Sequence, residues 1–270
     1  MKIISILAIF AASALCAFAG TAKHENIPYG AETADAYKSE RLKLDVYIPE
    51  GKKDFATLVW FHGGGLTGGE KQYFPKALLD KGFAVVCPNY RLSPKVKAAE
   101  AVEDGAEAVA WVFENIRKYG GDKNKIFVGG HSAGGYIAGM LGANPKYLKK
   151  YGIKNTAIAG LALVSGQVTT HFQVKKDFGD KSGGAVPKID EYAVLGHVKN
   201  KMPPVCLILG DRKIEWPCRV QENELLAATL RELKTSPRVE FFEIQGKDHG
   251  SVADASPDII DAFISDISGQ

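Results

Sequence analysis

The fold of this chain is decided by the stretch KIFVGGHSAGG, residues 125–135. A short apolar run with high β propensity stops at glycines, and the residues after Gly135 can continue as a helix. A strand that becomes a helix within so few residues needs small side chains around the turn, because the two elements pass close to each other. Gly130 and Gly134 meet this need on either side of Ser132. The spacing therefore predicts a strained turn that holds the Ser132 hydroxyl clear of both elements.

Gly130-x-Ser132-x-Gly134 is also the G-x-S-x-G pattern of a nucleophile elbow. The helix that follows directs its free N–H groups and the positive end of its dipole at Ser132, which favours a negatively charged oxygen there. In a chain with 29 glycines, the pattern alone is equally typical of an ordinary glycine-rich turn. Residues elsewhere in the chain decide between these two interpretations.

Apolar runs and helical stripes alternate along the chain, which is typical of an α/β fold. Apolar runs, as expected of strands covered on both faces, occupy residues 56–61, 83–87, 126–129, 158–164, 205–209 and 239–244, the last of them interrupted by two glutamates. Apolar residues at helical spacing occupy residues 102–116 and 225–233, and a last helix is predicted to begin at Ser256-Pro257, a cap followed by proline. This order predicts a mainly parallel central sheet with helices on both faces and the site at the carboxyl ends of the strands.

Two regions differ from this regular alternation. Residues 27–48 are predicted to form the opening strands, and the alternating apolar residues of 42–48 indicate a half-buried strand near a sheet edge. Residues 165–204 have mixed polarity and little periodicity. This second region is too long for a simple connection, so we expect a small cap or lid insertion over the site.

The amino terminus has the features of a secretory signal peptide. Residues 1–19 combine a basic start, an apolar run and a small-x-small cleavage site at residues 17–19. We therefore expect cleavage before Gly20, a secreted or periplasmic protein, and no stable membrane insertion afterwards. Residues 20–270 are long enough for one large α/β domain. Lysines are scattered and the net charge is only +3, which argues against nucleic acid as a partner.

Three cysteines follow the expected cleavage site: Cys87, Cys206 and Cys218. Cys87 and Cys206 lie in apolar strand-like runs and are expected to be buried thiols. An oxidising compartment would allow one disulfide, but the sequence does not show which two cysteines would pair. No C-x-x-C or His-rich spacing predicts a metal site.

A second motif, His62-Gly63-Gly64-Gly65, follows the first buried strand. Three successive glycines leave backbone N–H groups uncovered at the strand end. Together with the elbow, this loop predicts an oxyanion hole formed by the N–H groups of Gly63 or Gly64 and of Ala133. His62 is expected to support the loop rather than to act as a base.

A general base for Ser132 is expected late in the chain. His249 lies in the loop of residues 245–250, between the final strand and the final helix. The other histidines fall in the amino-terminal arm, in the two glycine-rich motifs or in the predicted cap. His249 is therefore the candidate base.

Three motifs taken together resemble the α/β-hydrolase superfamily: WFHGGG at residues 60–65, NYRLSP at 89–94 and GHSAGG at 130–135. The nearest branch is the esterase/lipase group, which includes hormone-sensitive-lipase-like carboxylesterases, BD-FAE-like feruloyl and acetyl-xylan esterases, and arylformamidases. The resemblance covers nearly all of residues 40–268. It implies an α/β-hydrolase fold and a carboxylic-ester hydrolase without cofactors, with a triad in the order serine, acid, histidine. Ser132 would be the nucleophile and His249 the base.

The acid departs from the family pattern. The family commonly places it three residues after the glycine that closes the penultimate strand, and that position is Lys213 here. Asp211 and Glu215 flank Lys213, and either could direct a carboxylate at His249. Glu215 has the longer reach and is preferred, whereas Asp211 can cap its own turn and stays open as the alternative. Asp248 is expected to point away from its neighbour His249 in an extended loop.

The substrate is only broadly indicated. The expected export and the resemblance favour a small-molecule or carbohydrate-linked ester, such as an acetyl or feruloyl ester of a plant polysaccharide. The candidate substrate-binding residues are His131, which flanks Ser132, and His171 and Tyr192 in the predicted cap. Each of the two cap residues could equally be a packed or a surface residue. Open alternatives are an arylformamidase or other amidase, a serine peptidase of the same fold, and a non-catalytic hydrolase-like binding protein, which Lys213 at the acid position would favour.

Overall fold

The structure is a computed structural model that describes residues 20–31 and 33–269. The expected signal peptide, residues 1–19, lies outside the described residues. Within them, eight strands form one sheet in the order β1-β2-β4-β3-β5-β6-β7-β8. The strands are β1 (Thr21–Pro28), β2 (Lys43–Pro49), β3 (Phe55–Phe61), β4 (Ala84–Pro88), β5 (Gly121–His131), β6 (Gly160–Val164), β7 (Val205–Gly210) and β8 (Val239–Ile244).

Helices cover both faces of the sheet. They are α1 (Ala36–Arg41), α2 (Glu100–Asn115), α3 (Ala133–Ala143), α4 (Lys146–Lys149), α5 (Phe172–Asp177), α6 (Arg219–Leu233), α7 (Ser251–Ala255) and α8 (Pro257–Ser268). Short 3-10 helices span Lys76–Lys81, Ile116–Tyr119, Asn155–Ala157 and Val194–His197. No helix in the described part of the chain is long and apolar enough to cross a membrane.

The predicted parallel sheet is confirmed. All pairings from β4 through β3 to β8 are parallel, and only β1–β2 and β2–β4 are antiparallel. Alternate residues of β3 enter two separate apolar layers: Val59 and Phe61 lie in one, Leu58 and Trp60 in the other. This double burial explains why the run is continuously apolar, because successive side chains point to opposite faces. The run at 239–244 is the edge strand β8, where the same residues are only partly covered.

The opening region differs from the prediction in two respects. Helix α1 separates β1 from β2 within residues 27–48. Strand β2 lies one position in from the edge and is mostly buried, so that Asp45 and Tyr47 do not face solvent. Asp45 is buried because Lys71, from the loop after β3, covers it with an ion pair of 2.5 Å, and the Asn26 N–H donates to the same oxygen. Periodicity cannot reveal a charge that a distant loop neutralises.

The expected cap at the start of α8 is also corrected. Pro257 is the first residue of the helix, as predicted, but Ser256 makes no side-chain capping bond. Helix α7 ends immediately before Ser256, which keeps a helical backbone and donates its hydroxyl to the Ala253 carbonyl at 2.7 Å. The Ser256 hydroxyl therefore bonds to the last turn of α7 and does not cap α8.

Cys87 and Cys206 are buried thiols, as predicted, and Cys218 is exposed. None of the three forms a disulfide in the described structure. The proposed cap, residues 165–204, contains α5 and the 3-10 turn Val194–His197, and its first part is buried against the domain. A role for this segment as a lid stays a prediction.

Candidate active site

Ser132 alone joins the end of β5 to the start of α3, with φ 55° and ψ −117°. Residues other than glycine rarely adopt such a backbone conformation, and it persists only where the surroundings enforce it. Here the backbone on both sides of Ser132 packs closely against the backbone at Phe61, and this packing holds the turn in its strained conformation. A Cβ atom at Gly130 would lie 2.5 Å from the Phe61 carbonyl oxygen, and one at Gly134 would lie 2.0 Å from it. The turn therefore requires glycine at both positions.

Gly134→Ala should lower the free energy of unfolding by about 3 kcal/mol or more, because the added methyl group meets backbone that cannot rotate away. Gly184→Ala is the matched control, since the nearest atom to its Cβ would be 3.6 Å away. That variant should change stability by less than about 0.5 kcal/mol. Urea unfolding of both proteins measures the difference, and equal stabilities would contradict the close approach at the elbow.

A line of hydrogen bonds joins three side chains at this turn. His249 Nε2 lies 2.8 Å from Ser132 Oγ, and His249 Nδ1 lies 2.6 Å from Glu215 Oε1. Because the carboxylate can only accept, Nδ1 carries the proton and Nε2 is left to accept from the serine hydroxyl. All three residues are less than a tenth exposed. This arrangement can remove a proton from Ser132 while holding the imidazole in one tautomer.

Glu215 is held by four hydrogen bonds. Its oxygens accept from His249, from Ser165 Oγ at 2.6 Å, from the Trp216 N–H at 2.8 Å and from the Gly210 N–H at 3.3 Å. Burial by itself would raise the pKa of Glu215, but the hydrogen bonds from His249, Ser165 and Trp216 outweigh it and lower the pKa to about 2. The carboxyl group is therefore an anion at neutral pH.

The low pKa of Glu215 predicts a contribution to stability that acid removes. A carboxyl group with a pKa of about 2 in the folded protein and 4.5 ordinarily stabilises the fold above pH 4.5, and that stabilisation is lost as the pH falls towards 2. The stability difference between the wild type and Glu215→Gln should therefore shrink by about 2 kcal/mol between pH 7 and pH 3. Urea unfolding at both pH values checks this, and a constant difference would contradict the depressed pKa.

Asp211, the other acid left open by the sequence, serves the backbone of its own turn. Its oxygens accept from the N–H groups of Lys213 and Gly246, each at 3.0 Å, and these bonds lower its pKa. Asp211 makes no contact with His249 in the described structure. Of the two flanking acids, the fold brings only Glu215 to the imidazole.

Asp248 likewise makes only local contacts. Its carboxylate accepts from the N–H and the hydroxyl of Ser251, at 2.8 and 2.6 Å. It therefore caps the start of α7 and does not share a hydrogen bond with the adjacent His249, as the sequence predicted.

The glycine-rich loop after β3 passes directly beside the elbow. A Cβ atom at Gly63 would lie 3.4 Å from that of Ser132. Gly64 has φ 115°, and a Cβ there would lie 2.2 Å from the Gly68 carbonyl oxygen, so only glycine fits. Within residues 20–31 and 33–269, the N–H groups of Gly63, Gly64 and Ala133 donate no hydrogen bond. These donors are thus available to a ligand oxygen next to Ser132.

His62 holds this loop in place. Its Nδ1–H donates to the Gly63 carbonyl at 2.6 Å, and its ring stacks on Tyr90 with 4.2 Å between centroids. The Tyr90 hydroxyl in turn donates to the His62 carbonyl at 2.8 Å. Burial lowers the pKa of His62 to about 4, so the ring is neutral and stacks without the cost of a buried charge. These contacts agree with the supporting role expected for it.

His131 connects the elbow to the loop of His249. Its Nε2–H donates to the His249 carbonyl at 2.6 Å, and the two rings lie 5.0 Å apart. Burial, and next the nearby His249, lower the pKa of His131 to about 4. A neutral His131 thus fixes the backbone that carries the base.

Sequence reasoning missed the roles of Ser165 and Trp216. Ser165 follows β6 directly, so the rule that sites lie at the carboxyl ends of parallel strands pointed to it. The Trp216 ring stacks on His249 with centroids 4.0 Å apart and is itself 45% exposed, forming an outer wall of the site. No sequence signal indicates that stacking, because it depends on the path of the loop after β7.

A cavity of about 450 Å³ adjoins the glycine-rich loop. Its walls include Trp60, Tyr73, Phe74 and His131, so one of the three predicted substrate-binding residues lines it.

The structure places His171 and Tyr192 outside this cavity. His171 is fully buried: its Nδ1 accepts from the Gln173 N–H at 3.2 Å and its ring stacks on Phe172. Tyr192 stacks on Phe178 instead, with centroids 5.1 Å apart. Packing, the alternative that the sequence left open, accounts for both side chains.

The BD-FAE family model matches residues 44–215, well over half of the chain. This chain belongs to the BD-FAE family. The matched part begins in β2 and ends at Glu215, so it contains the glycine-rich loop after β3 and the turn at Ser132, whereas His249 lies beyond it.

Curated relatives of this BD-FAE family member are named as esterases. The isoprenylcysteine alpha-carbonyl methylesterase ICME of Arabidopsis thaliana is 26% identical over 235 residues, which cover 77% of this chain and 54% of that protein. The fumonisin B1 esterase of Sphingopyxis macrogoltabida is 35% identical over 124 residues, which cover 38% and 23% respectively. The chain spans about a quarter of the length of several of the relatives that it matches.

Solved structures show the same fold at low sequence identity. A truncated carbohydrate esterase from gut microbiota has a TM-score of 0.77 at 16% identity, covering 94% of this chain and 99% of that chain. Esterase 2 of Thermogutta terrifontis has a TM-score of 0.71 at 20% identity, covering 90% and 92%. The BD-FAE family member therefore has the α/β-hydrolase fold.

Proposed function

We propose that this BD-FAE family member is a serine carboxylesterase in which Ser132 is the nucleophile, His249 the base and Glu215 the acid. The observation that carries the proposal is the unbroken line of hydrogen bonds from Ser132 Oγ through His249 to Glu215. The relatives named as esterases support an ester as the bond that is cleaved.

Acylation begins when His249 Nε2 takes the hydroxyl proton and Ser132 Oγ attacks the ester carbonyl carbon. The carbonyl oxygen becomes an oxyanion, which the N–H groups of Ala133 and of Gly63 or Gly64 stabilise. Each such donor contributes about 3 kcal/mol to transition-state stabilisation. Glu215, an anion at neutral pH, stabilises the imidazolium that forms.

Acylation ends when His249 gives its proton to the departing alcohol, leaving the acyl group on Ser132. In deacylation, His249 takes a proton from water, whose oxygen attacks the acyl carbonyl carbon. The same N–H groups stabilise the second oxyanion. The carboxylic acid leaves, and the proton returns to Ser132 Oγ. Every step uses groups of this chain and of water.

We further propose that the protein is exported and acts on acetyl or feruloyl esters of plant polysaccharides, with residues 165–204 forming a small cap. The amino-terminal sequence pattern supports export, and the resemblance to feruloyl and acetyl-xylan esterases supports the substrate class.

A substrate panel tests this function. Purified mature protein should hydrolyse p-nitrophenyl acetate, and its kcat/KM should fall with acyl chain length. Methyl ferulate and acetylated xylan test the polysaccharide substrate, and an N-formyl arylamine tests the amidase alternative. Absence of turnover on every ester would refute the esterase, whereas activity on p-nitrophenyl acetate alone would refute only the polysaccharide substrate.

A further inference from the structure

A second cavity, of about 300 Å³, is lined in part by the end of the loop after β7 and by the start of α6. Its walls are mainly apolar and include Ile189, Leu195 and Leu225. Polar side chains from Gln167, Arg219 and Glu222 also line it. We refer to this space as the Arg219 cavity.

Arg219, which lines this cavity, has unmatched hydrogen-bonding capacity beside it. The residue is only 5% exposed, yet Nε and Nη1 have no hydrogen-bond partner in the described part of the chain. The nearest acid, Glu222, lies 3.4 Å from Nε through Oε1, while its Oε2 accepts from the Thr169 hydroxyl at 2.6 Å and N–H at 3.2 Å. A buried guanidinium with open donors is costly unless an acceptor reaches it.

The Arg219 cavity adjoins the triad through two chain segments. Pro217, Cys218 and Arg219 line it directly after Trp216, whose ring stacks on His249. On another wall, Gln167 follows Ser165, which donates to Glu215, by two residues, a span of at most about 7 Å. The cavity therefore lies on the acid side of the site, while the larger cavity lies on the side of the glycine-rich loop.

We propose that the Arg219 cavity binds a carboxylate carried on an apolar or aromatic part of the substrate. A guanidinium presents paired donors that match the two oxygens of a carboxylate. The amino-terminal end of α6, where Arg219 is the first residue, adds a favourable dipole. Glu222 beside Arg219 disfavours a dianion such as phosphate, and the apolar walls cover the body of the ligand.

Two pairs of esters test this proposal. The ester test rests on the proposed function, because it requires that the protein hydrolyses esters. p-Nitrophenyl hydrogen glutarate and p-nitrophenyl valerate differ by a carboxylate on the acyl part; 4-acetoxybenzoate and phenyl acetate differ by one on the alcohol part. Arg219→Met should lower kcat/KM for the carboxylated ester of at least one pair by roughly 10- to 100-fold and leave its uncharged partner nearly unchanged. Equal effects within both pairs would overturn the proposal.

Two further variants separate recognition from folding. Arg219→Met/Glu222→Gln removes both charges, so no unpaired carboxylate stays buried, and it should lose the same preference as the single variant. Arg231→Gln, an arginine near the other end of α6, should keep the wild-type preference. A double variant that keeps the preference would contradict the role of Arg219.

Direct binding tests the cavity without any ester chemistry. Titration calorimetry of the wild type should detect benzoate and show benzamide binding at least about tenfold more weakly. Arg219→Met should abolish this difference. If the wild type prefers benzoate and Arg219→Met does not, but the wild type hydrolyses no ester, only the proposed function is refuted. Ester hydrolysis without any benzoate preference would refute only the Arg219 cavity.

Discussion

Ser132→Ala should lower kcat for p-nitrophenyl acetate by about 10⁶-fold, leaving only the turnover that the backbone donors and binding support. The effect is large because no other hydroxyl occupies the elbow, where His249 Nε2 lies 2.8 Å from Ser132 Oγ. Alanine keeps the Cβ atom, so the strained turn and the fold should be preserved. Initial rates at saturating substrate, compared with circular dichroism of both proteins, measure the effect.

Ser236→Ala is the control for this experiment. Ser236 is also a buried serine, but its hydroxyl donates to the carbonyls of Pro203 and Arg238, away from the elbow. This variant should keep the wild-type kcat. A folded Ser132→Ala protein with wild-type turnover would show that hydrolysis occurs elsewhere.

Glu215→Gln should lower kcat by about 10⁴-fold, whereas Asp211→Asn should leave it nearly unchanged. Glutamine in place of Glu215 removes the anion that fixes the His249 tautomer and stabilises the imidazolium. Asp211 is the matched control because it lies in the same loop and accepts only from the backbone N–H groups of Lys213 and Gly246. Paired kcat measurements at pH 8 check both variants.

The reverse result, a large loss of kcat for Asp211→Asn and none for Glu215→Gln, would show that Asp211 is the acid and would contradict the proposed role of Glu215. Full activity in both variants would show that hydrolysis needs neither carboxylate and would contradict the role proposed for Glu215.

Local spacing was enough to predict the strained turn at Ser132 and the sheet, whereas a catalytic role for the turn needed motifs elsewhere in the chain. Gly130 and Gly134 are required by backbone contacts with the same carbonyl oxygen of Phe61, so their spacing reflects a local constraint. The buried strands were equally visible, because a strand covered on both faces must be apolar throughout. The position of His249 followed from chain order alone, as it lies between the last strand and the last helices.

The acid was not decided by the sequence because the decision depends on a distant loop. Asp211 and Glu215 lie in one turn and carry the same group. The Gly246 N–H, supplied by the loop after β8, engages Asp211, and His249 from that same loop meets Glu215. Reach along the chain favoured Glu215, but only the packing of the two loops separates the candidates.

The substrate-binding residues were predictable only in part for a similar reason. His131 follows from the motif, since it adjoins Ser132 and must lie at the site. His171 and Tyr192 were assigned from composition within residues 165–204, where no periodicity shows which side chains turn inwards. No sequence pattern indicated Arg219, because its burial depends on how residues 165–204 and α6 pack together.

The most direct test of the account is the site at which a fluorophosphonate probe reacts. Peptide mass spectrometry of the folded protein after labelling at neutral pH should find the adduct on Ser132 and on no other residue. Among residues 20–31 and 33–269, only this hydroxyl is hydrogen-bonded to His249 beside free N–H donors. An unlabelled Ser132 in folded protein, or an adduct at another serine, would contradict the proposed nucleophile.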